Sequence, residues 1–79
     1  MGFAKTEREW AERAARHLKA ELKRADLTYE ELAERLEDHG FAETKASIAN
    51  KLARATIPAA FFLAAMACIG VAEVALEDI

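Results

Sequence analysis

Proline and cysteine each occur once in this 79-residue chain, glycine occurs three times, and residues 57–79 contain no lysine or arginine. So few chain breakers leave room for helices joined by short connections, and no stretch alternates apolar and polar residues as a half-buried strand would. The single cysteine, Cys68, cannot close an internal disulfide, and in its apolar run a thiol behaves as a small hydrophobe. That points to a reducing, cytoplasmic setting. The opening MGFAKTEREW is charged where a signal peptide needs its apolar core, so no export signal is expected.

Chemistry is equally sparse. No glycine-rich phosphate loop occurs, and His17 and His39 lie 22 residues apart without the Cys or carboxylate neighbours that a metal site requires. Glu30, Glu31, Glu34, Glu37 and Asp38 form an acidic run that reads as a solvated helix face, since acid–base catalysis would need such groups desolvated and paired across a cleft. Cys68 has no basic neighbour within a helical turn to lower its pKa. Neither a cofactor, a metal, a small-molecule substrate nor an enzymatic activity is expected.

What is present is apolar bulk, 53% of the residues, dominated by alanine. It favours a single all-helical domain over residues 1–79. Thr6 to about Ala25 reads as the first helix, with Trp10, Ala14, Leu18, Leu22 and Ala25 on one stripe facing the core. The second has the clearest start: Thr28 and Glu31 form a capping box, and Leu27 and Leu32 occupy the positions of a hydrophobic staple. Gly40 suits the left-handed position after it, and Phe41 is placed to fold back into the core. Thr44 caps a third helix from Lys45 to about Ala55, and a fourth begins near Pro58 and ends at Gly70. Val71 to Ile79 is read as a short amphipathic helix.

The fourth helix, PAAFFLAAMACI, has no polar side chain, so it must be buried on all sides or covered by a partner. Residues 57–72 are uncharged, but that run is shorter than the roughly 20 residues a bilayer span needs. No membrane association is expected. Phe61, Phe62, Leu63 and Met66 are the candidates for a homodimer contact.

Net charge is −3, yet its distribution is uneven: residues 1–40 carry 8 basic and 10 acidic groups, residues 41–56 carry 3 and 1, and residues 57–79 only 3 acids. The one basic island is the third helix. On a helical projection Ile48, Leu52 and Ala55 share one side, and Ser47, Asn50, Lys51 and Arg54 fall on the other. That arc contains no acid. Its residue types suit duplex DNA: asparagine for adenine, arginine or lysine for guanine or phosphate, serine for either. Lys45 is assigned to phosphate, with the N-terminal N–H groups of the second and third helices as further phosphate donors.

The order of elements, with TYEELAERL (28–36) followed by a polar-faced helix and an apolar one ending in IGV, is similar to the phage-repressor/Cro class of helix-turn-helix domains. A closer resemblance, over about Trp10 to Val71, is to a small bacterial domain family of unknown function. It is carried by LKAEL (18–22), TYEELAERL, Gly40 with Glu43-Thr44, Ile48, Asn50-Lys51, Ala53-Arg54, Phe61-Phe62 and Ile69-Gly70. These resemblances imply an all-α fold, four to five short helices in a repressor-like orthogonal bundle, with the helix-turn-helix unit at 27–55. Two departures are visible: twelve residues separate Leu36 from Ala49, a lengthened turn, and Ala55 stands where a glycine would end the third helix, so exit through Thr56 is expected. A small DNA-binding transcriptional regulator, dimeric on double-stranded DNA, is the leading expectation. The alternative is a protein-interaction or assembly module that keeps the helix-turn-helix shape without binding DNA.

Overall fold

The computed structural model describes residues 2–79. These residues form four α-helices and no strand: α1 (Glu7–Arg24), α2 (Tyr29–Glu37), α3 (Lys45–Arg54) and α4 (Ala59–Ile69), then a 3₁₀ turn at Leu76–Asp78.

Three threonines start three of the helices. Thr6, Thr28 and Thr44 hold extended backbone, and each Oγ1 accepts the N–H of the residue three positions on, Glu9, Glu31 and Ser47 respectively. Each bond satisfies one of the donors that a helix N-terminus leaves free. At Thr28 the box is reciprocal, because Glu31 Oε1 accepts from the Thr28 N–H at 3.0 Å and from its hydroxyl at 3.0 Å. The Thr28 backbone N–H first, and its hydroxyl second, hold the Glu31 carboxyl below the usual carboxylate range. The ionised box therefore supports α2 above the ordinary carboxylate pKa and loses that support as pH falls through the lowered value.

All four helices end alike. A residue with positive φ follows each one (Asp26, 57°; Gly40, 84°; Ala55, 54°; Gly70, 100°). The next N–H then returns to a carbonyl in the last turn: Leu27 to Leu22 (2.9 Å), Phe41 to Leu36 (3.1 Å), Thr56 to Lys51 (3.0 Å) and Val71 to Met66 (2.9 Å). This is the Schellman closure. Glycine is suited to the left-handed position, whereas a residue with a Cβ costs about 1–2 kcal/mol there. The chain leaves α3 through Ala55 itself, not through Thr56 as a cap. Ala55→Gly is expected to raise the unfolding free energy in urea by about 0.5–1 kcal/mol, the relief of strain less the lost methyl packing. A fall in stability would mean that the methyl matters more than the backbone.

Packing joins the ends of the chain. Helices α1 and α2 each pack on both α3 and α4, and the chain bends by 119° between the latter two. One core draws on every helix: Ala15, Leu18 and Leu22; Leu32, Ala33 and Leu36; Ile48 and Leu52; Phe61, Ala65 and Met66. Leu27, Phe41 and Val71, which follow the left-handed residues, pack against its edge. Arg35 of α2 donates from Nη1 to the Cys68 carbonyl at 2.9 Å, so a side chain of one helix closes the C-terminal turn of another. The body measures 34 × 24 × 20 Å.

Three expectations are corrected. Trp10 and Ala25 are exposed, and the buried line of α1 runs through Ala15, Leu18 and Leu22. An 18-residue helix is about 27 Å long, against about 15 Å for the ten-residue α3, so its first turns overhang the core. There Trp10 stacks on Phe3, ring centroids 6.2 Å apart. Val71 to Ile79 is no α-helix: only Leu76–Asp78 forms a 3₁₀ turn, after the Schellman closure at Gly70 has redirected the backbone. Finally, Phe61 and Met66 are core residues, 4% and 3% exposed: Phe61 is turned away from any partner, and Met66 reaches only the floor of the groove that Phe62 and Leu63 line. Of the four exposed positions of α4 three are alanines (59, 60 and 67), and only Leu63 puts a large side chain into solvent, at 67%. Among the described residues no single helix is long and apolar enough to cross a membrane.

Candidate nucleic-acid interface

The third helix buries Ile48 and Leu52 completely or nearly so, which turns Ala46, Asn50, Ala53 and Arg54 outward. Asn50 sits at the centre of this face between two alanines. Small neighbours let a helix approach another surface closely, and alanine methyls suit thymine methyls in the major groove. Lys45 is exposed at the start of the helix.

The other two candidates point elsewhere. Ser47 is half-buried, and its hydroxyl serves the cap: it accepts the Thr44 N–H at 2.8 Å and donates to Glu43 Oε1 at 2.6 Å. Lys51 is drawn to the same carboxylate, with Nζ 3.0 Å from both oxygens of Glu43 and 5.5 Å from the centroid of the Phe61 ring. Their side chains are only 27% and 13% exposed. The arc that is free of acids within its own helix is therefore supplied with one from the α2–α3 turn. Lys45, Asn50 and Arg54 form the open set, while Ser47 and Lys51 belong to a structural network.

Glu43 escaped the sequence reading because it precedes α3 and lies eight residues from Lys51. The capped helix starts are also acidic: α2 has Glu30 and Glu31 in its first turn, and Glu43 flanks that of α3. Carboxylates already occupy the positive end of α2 that a phosphate would seek, whereas the first turn of α3 holds no acid. Cations in reach of the outward face come instead from α1. Its Arg16 and Lys19 meet Arg54 across a cleft of about 300 Å³, lined also by Arg8, Leu52 and Ala53.

Elsewhere the reactive groups are quiet. Burial pushes the Cys68 thiol up, and this outweighs the opposing pull of the Arg35 guanidinium. Arg35 is 33 residues distant in sequence, so a search within one helical turn misses it.

The fold and this face define a small all-helical domain with a four-helix core. The chain belongs to the family described as a domain of unknown function (DUF6471), whose model matches residues 10–74. The match carries neither an activity nor a helix-turn-helix assignment. No curated protein and no solved structure matches the chain.

Proposed function

We propose that the domain binds double-stranded DNA through α3, as a small transcriptional regulator of helix-turn-helix type acting in the cytoplasm. One observation carries this reading: opposite buried Ile48 and Leu52, α3 presents Asn50 between Ala46 and Ala53, with unpaired Arg54 beside it. In a major groove about 12 Å wide, Asn50 pairs with an adenine edge, Arg54 with guanine or phosphate, and Lys45 with phosphate. Ser47 and Lys51 set the angle of the helix instead of reading bases.

Selection of bound duplexes from a random pool at two salt concentrations tests this. The wild-type chain is expected to enrich a short motif, and Asn50→Ala to lose preference at one position by about 1–3 kcal/mol while keeping its fold. Failure to enrich any sequence, together with no duplex binding at low salt, would remove the reading.

A second reading, self-assembly, has its own observation. Phe62, Leu63, Val71, Val74 and Leu76 line an apolar groove of about 530 Å³, with Leu63 67% and Leu76 60% exposed. A chain that sediments as a dimer but enriches no duplex would favour this reading, the groove covering its own copy.

A further inference from the structure

We infer that the cleft between α1 and the C-terminal end of α3 is a seat for nucleic-acid backbone phosphate, formed by Arg16, Lys19 and Arg54. The inference rests on the DNA reading above and adds to it the source of non-specific affinity. Four cations, Arg8, Arg16, Lys19 and Arg54, line this cleft against one carboxylate, Glu12. Glu12 is engaged by Arg8, at 3.5 Å. Among the described residues Arg16, Lys19 and Arg54 have no ion-pair partner, and all three are exposed. Of the cations outside the cleft, Arg13 is held by the Gly2 carbonyl at 2.9 Å, Arg24 by Glu21, Arg35 by the Cys68 carbonyl and Lys51 by Glu43. Lys5, Lys23 and Lys45 are exposed without an ion-pair partner among the described residues but do not line this concavity. A chain of net charge −3 thus gathers excess positive charge in one concavity.

The position of the cleft selects the occupant. Ala53 and Arg54 belong both to its wall and to the outward face of α3, so a duplex read by Asn50 brings its flanking backbone to the cleft. Glu30 and Glu31 make the start of α2 a poor phosphate site, while Lys45 at the start of α3 offers a single cation and the cleft offers three unpaired ones. Arginine forks and a lysine point charge are the side chains that neutralise phosphodiesters and release their counterions.

The test uses the full chain and a mixed-sequence 20-base-pair duplex, with affinity measured by fluorescence anisotropy across a salt series. Circular dichroism melts verify that the variants fold. The double variant Arg16→Ala/Lys19→Ala is expected to weaken all duplexes alike and to flatten the slope of log K against log salt by about 2, near 0.9 per lost phosphate contact. An unchanged slope in a wild type that binds duplex overturns the seat and leaves the DNA reading intact. If the wild type binds no duplex, the DNA reading fails, and amide shifts on titration with inorganic tripolyphosphate judge the seat separately. Shifts confined to residues 15–19 and 52–55 uphold it; scattered or absent shifts overturn it. Tighter binding of poly-glutamate than of duplex at equal salt would assign the cleft to an acidic protein and overturn the nucleic-acid occupant.

Discussion

Leu36→Ala is expected to lower the unfolding free energy by about 2–5 kcal/mol, the range for deleting a fully buried leucine side chain and leaving a cavity. Leu36 is completely buried where α2 meets the core shared with α3 and α4. Its carbonyl also accepts the N–H groups of His39 (3.0 Å) and Phe41 (3.1 Å), the bonds that close α2 and return the chain to Phe41. A domain of this size has roughly 4–12 kcal/mol of stability in all, so the loss is a large share of the total. Urea denaturation followed by helical circular dichroism measures it. A cost under about 1 kcal/mol would show that the α2 contacts are not part of the cooperative core. Asn50→Ala provides the contrast, since an exposed site away from caps and core moves stability by no more than about 0.5 kcal/mol.

The second large effect concerns Glu43 and Lys51. Glu43→Gln is expected to cost about 1–2 kcal/mol, because it leaves a half-buried ammonium without its counter-charge, a fraction of the penalty for a fully buried pair. Lys51→Met keeps the stem that packs near Phe61 and removes the charge, so the double variant should recover part of the loss. A double-mutant cycle in urea is expected to return a coupling of about 1 kcal/mol. Coupling indistinguishable from zero would demote the pair to an ordinary surface contact. The outcome also bears on function: strong coupling confirms Lys51 as a residue that orients α3, while Asn50 and Arg54 remain free to read a partner.

How much of this was legible beforehand depended on distance along the chain. The bonds of Thr28 with Glu31 and of Thr44 with Ser47 span three residues, and the closures at Gly40 and Gly70 span five. A local pattern is enough to place such features, and the family resemblance over most of the chain was legible on the same stretches. Ala55 shows the limit even at short range. Its left-handed backbone was hidden because alanine gives no signal for positive φ, yet the Thr56 N–H closes on the Lys51 carbonyl there all the same. On α4 every residue is apolar, so periodicity could not distinguish Phe61 and Met66, which are buried, from Leu63, which is not. Keeping all four as candidates for a dimer contact follows from that lack of contrast.

By itself the sequence determined that the chain is helical, where each of the four α-helices begins and ends, and that α3 carries polar residues opposite Ile48 and Leu52. These depend on hydrogen bonds and side-chain spacing within a few turns. Only the tertiary structure decided that Arg35 closes α4 and that Arg16 and Lys19 stand beside Arg54. Those pairings depend on how helices cross, and the crossing is set by the packing of the whole core, which no single segment contains.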